Sequence, residues 1–483
     1  MEKRKRLDRM FNPRGFAIFG SVGTLGAFGN SMVLSHIKYG YQGKIYPISR
    51  KGGEVAGLKI YKSLAEVEGP VDLASVSVPA AAVPEVLQHC LEHGVAGAEI
   101  HSSGFSETGE KKGRTLQEEI EKIAGKGLAI VGPNCFGLHS PKGGITLLPA
   151  FDFSKTPGPV AMISQSGGVA NDFGHEARLA GLGISKIISF GNGCGLGAAE
   201  LLEYLEDDPD TAYIAAYIEG VNDGRSFFEA IRKITPKKPL VIWKGGLTPL
   251  GARAALSHTG SLGGETTIWR CALKQAKAIL VEGIDEMIDT LMALTYIKSR
   301  GSRIALAGGG GAIGVFSSDL AFRWGLEIPT FSKETQKALK RFFPAPGNSV
   351  LNPLDTGTPA LPLDSVKGCV KEILLHEPID ILVLIMLLHP LEIVMPAFME
   401  MAGLPPISGG DYLKGLLETL LALKEETGKD IALVLENRTC RIEDAKVESI
   451  LRELRERYQS KGIPVYKNTE NALRGIKNVS TAA

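Results

Sequence analysis

Cysteine is scarce in this chain and shows no pairing pattern. Its six cysteines (Cys90, Cys135, Cys194, Cys271, Cys369 and Cys440) are scattered with no C-x-x-C spacing. That excludes a disulfide framework and a zinc site of ordinary ligand spacing, and reads as a reducing compartment. Net charge is nearly absent: 54 Lys+Arg against 53 Asp+Glu leave +1, so no overall field draws the chain to nucleic acid or to a membrane surface. No apolar run approaches the roughly 18 residues of a spanning helix, the stretch 380–389 being too short. The N-terminus, MEKRKRLDRMFNPRGF, is basic but is not followed by the apolar region of a secretion signal. Also missing are G-x-x-x-x-G-K-[ST], H-E-x-x-H and G-x-S-x-G, so the chain shows no nucleotide loop, zincin site or hydrolase elbow of its own. No low-complexity segment is present. What remains is 44% hydrophobic and 22% charged, the make-up of an ordinary globular protein, expected in the cytoplasm.

A length of 483 residues predicts roughly three domains at about 150 residues each. Short apolar runs alternate with helical patterns, which predicts α/β units with doubly wound parallel sheets. Strands are expected at 15–19, 44–48, 72–78, 97–100 and 128–131, with helices at 31–39, 84–94 and 114–125. After the Pro-containing linker 155–158, a second unit has strands at 160–164, 184–189, 213–218 and 240–243, and a helix from Val169. A third, plausibly similar to the second, begins near Arg303, with strands at 304–307, 381–388, 431–435 and 464–466. Ligands of such folds bind beyond the carboxyl ends of the strands, and the first-domain turns all lie there.

The first of those turns reads GSVGTLGAFG, with Gly20, Gly23, Gly26 and Gly29. Glycines there let backbone N–H groups approach a phosphate, and the helix that follows adds its dipole. The spacing is not G-x-G-x-x-G, so the turn alone says little. The second strand runs into Ser49-Arg50-Lys51-Gly52-Gly53, basic where NAD would require an acid for its ribose. The basic pair suits an extra ribose phosphate, as in coenzyme A or NADP, or else is a solvated turn. In the second unit Ser164-Gln165-Ser166-Gly167-Gly168 lies at a strand-to-helix junction, which makes either an anion site or a simple helix cap. His258, in the glycine-flanked SHTGSLGG from Ser257, is suited to accept phosphate on one ring nitrogen; His36, His89, His93, His175 and His376 read as inert. Such a histidine needs its other nitrogen oriented. Glu219, just past the strand 213–218, is a candidate for that task, or an ordinary turn carboxylate.

Taken in order, these segments resemble a known family. The landmarks are Gly20-Ser21, KIYPI from Lys44, Val78-Pro79-Ala80, SSGF from Ser102, GPNCFG from Gly132, ISQSG from Ile163, Gly191-Asn192, Glu219-Gly220-Val221, SHTGSL from Ser257 and NPLD from Asn352. The chain is similar to the α subunit of NDP-forming acyl-CoA synthetases, especially the archaeal-type ADP-forming acetyl-CoA synthetase, and more distantly to succinyl-CoA synthetase. The resemblance implies a Rossmann-like CoA-binding domain (1–145) followed by two flavodoxin-like ligase domains (146–298 and 299–483). It implies that acid, CoA and ATP interconvert with acyl-CoA, ADP and phosphate through acyl phosphate and a phosphohistidine. On that likeness His258 is phosphorylated, Glu219 orients it, and Ser164, Ser166 and Gly167 receive the phosphoryl group. Gly20, Ser21, Lys51, Val78, Pro79, Ser103 and Asn134 fall where the family binds coenzyme A. The nucleotide and magnesium are then expected on an ATP-grasp β subunit, in an α2β2 assembly, with no metal site in this chain.

One departure stands out. The ADP-forming relatives carry an acidic stretch after Gly191-Asn192, whereas here 193–199 reads GCGLGAA with no carboxylate before Glu200. Two other readings remain. One is a non-catalytic acyl-CoA-binding regulatory subunit, disfavoured by the presence of both His258 and Glu219. The other is an NADP-dependent oxidoreductase, which leaves the second and third domains without a role.

Overall fold

The computed structural model describes residues 2–148, 152–253, 266–343, 348–357, 361–403, 405–437, 442 and 445–481. The chain forms two compact units, 1–287 and 288–483.

The first unit holds two main sheets. Strands β1 (Gly15–Gly20), β2 (Lys44–Ile48), β5 (Leu73–Ser77), β6 (Gly97–Ile100) and β7 (Ala129–Val131) form a parallel sheet in the order β2-β1-β5-β6-β7. Between β2 and β5 lies a small hairpin, β3 (Gly53–Val55) with β4 (Leu58–Ile60). A parallel sheet covered by helices is buried on both faces and so draws on continuous apolar runs. Phe16, Ala17 and Ile18 are accordingly all fully buried. The N-terminal helix Glu2–Phe11 is tied in by an ion cluster, in which Arg9 and Arg14 both bond the carboxylate of buried Asp72 at the entry to β5.

The second sheet comprises β8 (Gly137–His139), β9 (Pro157–Ser164), β10 (Ile184–Ser189), β11 (Tyr213–Ile218), β12 (Leu240–Lys244) and β13 (Ile279–Val281), in the order β13-β12-β11-β9-β10-β8. All its pairings are parallel except that of β8, which runs antiparallel along β10. Only residues 132–136 separate β8 from β7, so the chain leaves the first sheet and immediately edges the second. Residues 132–136 make the passage. Asn192 and Cys194 donate to the carbonyls of Pro133 and Gly132, and Phe136 N–H donates to Ser189 Oγ. Under this strap, buried Glu99 accepts from Leu138 N–H at 3.0 Å, and the His101 Nδ1 lies 3.1 Å from Cys135 O.

The second unit is built on one parallel sheet, β14 (Ile304–Gly308), β15 (Ile381–Leu387), β16 (Asp430–Glu436) and β17 (Val465–Tyr466), in that order. Asn352 pins its first strand, accepting from Leu306 N–H and donating to Ile304 O. Among the described residues no helix is long and apolar enough to cross a membrane.

Candidate active site

The first-domain candidates lie along one sheet edge. Gly20 ends β1, Lys51 follows β2, Val78-Pro79 follows β5, Ser103 follows β6 and Asn134 follows β7. Adjacent strands are about 4.8 Å apart, so their carboxyl ends form one continuous rim. Gly20 has φ +143°, and a Cβ there would meet Ser77 Oγ at 2.4 Å, so the chain can turn sharply across β5 only with glycine in this place. Beyond it Ser21, Gly23 and Thr24 are exposed, and the turn delivers the start of the helix Phe28–Tyr39. A narrow glycine turn opening onto a helix N-terminus fits a phosphate-bearing ligand. Ser103 and Lys51 are exposed, and Arg50 pairs with Glu85 at 3.3 Å. Asn134 sits at φ +56°, and its N–H donates to Ser102 O.

The second-sheet candidates converge as well. Ser164 closes β9, where its buried hydroxyl donates to Ser166 O at 2.7 Å. Ser166 caps the helix Gly167–Leu179, its Oγ accepting from Val169 N–H. Gly167 is required by a close approach, since a Cβ would meet the Phe136 ring at 2.5 Å. Serine and glycine at the first turn of a 13-residue helix leave its N–H groups and dipole facing outward, an arrangement suited to an anion. Next to it, Glu219 follows β11 and is 6% exposed, with Oε1 accepting from Tyr217 OH at 3.1 Å. Burial, followed by the neighbouring Glu219, pushes the Tyr217 phenol up, so Tyr217 stays a donor. His258 lies outside the described residues.

One residue of the first group and two of the second meet on a cavity of about 670 Å³, whose lining does not include Gly20, Ser21, Lys51, Val78, Pro79, Ser103, Ser164 or Glu219. Asn134 lines it from the first sheet; Ser166, Gly167, Gly191, Asn192 and Gly220 line it from the second. The departure segment also contributes. Just before it, Gly191 has φ +51°, and a Cβ there would strike Pro133 O at 2.2 Å, while within it Cys194 and Leu196 donate to the carbonyls of Gly132 and Ile130. The first carboxylate after it, Glu200, accepts from Gly197 N–H at 3.0 Å and so caps a helix.

Three polar residues to which sequence reasoning gave no role shape this site. Gln165 Oε1 accepts from the N–H groups of both Glu219 and Gly220, which fixes the turn beyond β11. Asn192 Nδ2 donates to Glu107 Oε2 at 2.6 Å. Lys244 is buried at the end of β12 and donates to Glu219 O at 2.8 Å. Gln165 offered a signal, an amide between the two serines of the strand-to-helix junction; Lys244 offered none, since a lysine after an apolar run reads as the exit to solvent.

Comparison with known proteins assigns both sheets of the first unit to described families. Residues 14–141 match the family described as CoA binding domain, and 157–294 match the succinyl-CoA ligase like flavodoxin domain. The chain is 36% identical to the alpha subunit of acetate–CoA ligase [ADP-forming] II of Pyrococcus furiosus, over 96% of this chain and 95% of that one. It is 38% identical to an acetate–CoA ligase [ADP-forming] of Methanocaldococcus jannaschii over 71% of its own length, but over 48% of that longer chain. The solved dinucleotide-forming acetyl-coenzyme A synthetase 1 of Ca. Korarchaeum cryptofilum, in complex with phosphate and ADP, superposes with TM-score 0.80 at 29% identity, covering 99% of this chain and 96% of that one. This chain belongs to the alpha-subunit family of the ADP-forming acetate–CoA ligases, NDP-forming acyl-CoA synthetases that join a carboxylic acid to the thiol of coenzyme A.

Proposed function

We propose that this chain carries a phosphoryl group on His258 between acyl phosphate and a nucleotide held by a separate ATP-grasp β subunit, in a cytoplasmic α2β2 enzyme. In the direction of ATP synthesis, phosphate attacks the acyl-CoA carbonyl and the C–S bond breaks, releasing CoA thiol and leaving acyl phosphate. The His258 imidazole then attacks phosphorus, the P–O bond to the acyl group breaks and the free acid leaves. ADP finally takes the phosphoryl group from the histidine, giving ATP. Glu219 holds the imidazole by its second nitrogen, which orients it and balances the positive charge formed on the ring. Ser164, Ser166 and Gly167 form the anion site that steadies the phosphoryl group, and the helix dipole there needs no metal from this chain.

Coenzyme A takes the first rim in this reading. Gly20 and Ser21 lie at its phosphates, Val78, Pro79 and Ser103 along its arm, and Asn134 nearest the reacting thioester, with Lys51 toward the ribose phosphate. The domain division is 1–145, 146–298 and 299–483. The partner is inferred from the alpha-subunit name of the Pyrococcus relative and from the Methanocaldococcus ligase, of which this chain matches only 48%.

The observation that carries the reading is the shared cavity, since Asn134 of the proposed CoA rim and the Ser166–Gly167 anion site line the same space. The test is labelling. With the partner subunit and labelled ATP, or with acyl-CoA and labelled phosphate, an acid-labile, alkali-stable adduct should form on this chain. That lability marks phosphohistidine and excludes phosphoserine. His258→Ala should abolish label and turnover and leave CoA binding intact; label at the wild-type rate on that variant would refute the carrier role. Glu219→Gln should retain some activity, because orienting and acid–base roles are worth roughly 10²–10⁴-fold.

A further inference from the structure

Lys244 has no role in the scheme above, yet three parts of the site meet on it. It is 2% exposed at the end of β12. Its ammonium donates to the main-chain oxygens of Glu219 and Gly245 and lies 4.9 Å from the centroid of the Trp269 ring. Glu219 belongs to the turn after β11. Gly245 is the first residue past β12, and Trp269 stands on the helix Thr266–Gln275, to which the chain returns. A second bond, from Thr266 Oγ1 to Leu247 O at 2.8 Å, joins the same two chain ends. The connection 245–265, on which His258 lies in sequence, thus leaves from and returns to one buried cation.

That cation is costly. Taking an ammonium out of water costs several kcal/mol. Among the described residues the charge is met by two carbonyls and a ring face rather than by a carboxylate in contact. Burial accordingly lowers its pKa, with the more distant Glu219 carboxylate opposing the shift. Its two hydrogen bonds offset only part of that cost, so the position calls for a further reason. Geometry gives one: the backbone of Glu219 is gripped at both ends, its N–H by Gln165 Oε1 and its carbonyl by Lys244.

We propose that Lys244 is a positioning residue for phosphoryl transfer, holding the Glu219 turn in register with both ends of the connection that bears His258. This rests on the roles of His258 and Glu219 given under Proposed function. A neutral side chain would remove the ammonium's hydrogen bonds to the Glu219 and Gly245 carbonyls, and the carboxylate would lose part of what fixes its aim. Misplacement of that kind costs up to about 10²-fold in rate even when the chemistry itself is untouched.

The experiment uses the enzyme assembled with its partner subunit, acyl-CoA and labelled phosphate. Lys244→Met should slow the appearance of acid-labile label roughly 10–100-fold, with KM for CoA unchanged. Lys244→Arg, which keeps the charge and two donors, should recover part of the rate. Trp269→Leu, which removes the ring face and leaves the lysine, should slow the same step by a smaller factor, and decides the matter if Lys244→Met does not fold. A merely structural lysine would shift Tm and leave the labelling rate per folded molecule unchanged, and that result in both Lys244→Met and Trp269→Leu overturns the proposal. The two layers separate cleanly. Wild-type enzyme that takes up no acid-labile label sinks the phosphohistidine itself, whereas wild-type labelling with unchanged variants sinks only the role of Lys244.

Discussion

Gly167 shows how little room the site leaves for a single atom. A methyl group there would meet the Phe136 ring at 2.5 Å, and Phe136 is itself held where its N–H bonds Ser189 Oγ. Either the ring or the first helical turn must move, and overpacking of this kind costs typically about 1–3 kcal/mol. Gly167→Ala should therefore lower Tm by a few degrees and slow phosphoryl transfer by a larger factor than stability accounts for, read by calorimetry and by the labelling assay on the same preparation. At this scale the sequence was informative where a residue's type implied its chemistry and silent where its surroundings did. Ser164, Ser166 and Gly167 could be read as a small-residue junction before a helix. Lys244 could not, because a strand expected to end at Trp243 runs one residue further and takes the ammonium inside. Gln165 was visible in the motif, but its task, holding two N–H groups of a turn 54 residues away, depends on β9 and β11 being neighbours.

Elements of the parallel sheets were the most legible part of the fold. The strand 213–218 matches the structure end to end, because a strand buried on both faces draws on a near-continuous apolar run; 184–189 matches too, although Lys186 interrupts it and is buried on Asp208. Strands outside that rule went unread. The hairpin β3–β4 and the three-residue strands β8 and β13 are too short to carry a pattern. The helix after Ser166 begins two residues earlier than expected, since glycines that weaken a helix by propensity are admitted here by the close approach of Phe136. The joint between the N-terminal helix and β5 gives a pH prediction. Burial alone would raise the Asp72 pKa, but hydrogen bonds from Arg14 and Arg9 outweigh it and hold the carboxyl at about 2. A carboxylate depressed on folding stabilises above its unfolded pKa and loses that contribution as pH falls toward the folded one. Wild-type protein should lose about 2 kcal/mol between pH 4 and pH 2 from this group. Asp72→Asn should start less stable at neutral pH and show a flatter acid limb in urea titrations.

For the whole molecule, the expected absence of a nucleotide loop leads to a prediction about assembly. The purified chain should make no acyl-CoA from acid, CoA and ATP, and an added ATP-grasp β subunit should restore turnover; activity of the chain alone would mean that a nucleotide site lies unrecognised within it. CoA should still raise the Tm of the isolated chain, because a ligand bound by the folded state alone stabilises it. Dephospho-CoA should do so less if Arg50 and Lys51 meet the 3′-phosphate, and equal shifts would remove the basic pair from the site. One feature of the architecture bears on how such an enzyme moves. The strap 132–139 starts in the rim of the first sheet and ends as a strand of the second, with Glu99 and Ser189 bonded to it on the way. A seam stitched into both fabrics cannot act as a door. The spacing between the first rim and the Ser166 helix is then a built-in gauge, and on the carrier role proposed for His258 whatever distance the reacting groups must cover is travelled by the cargo.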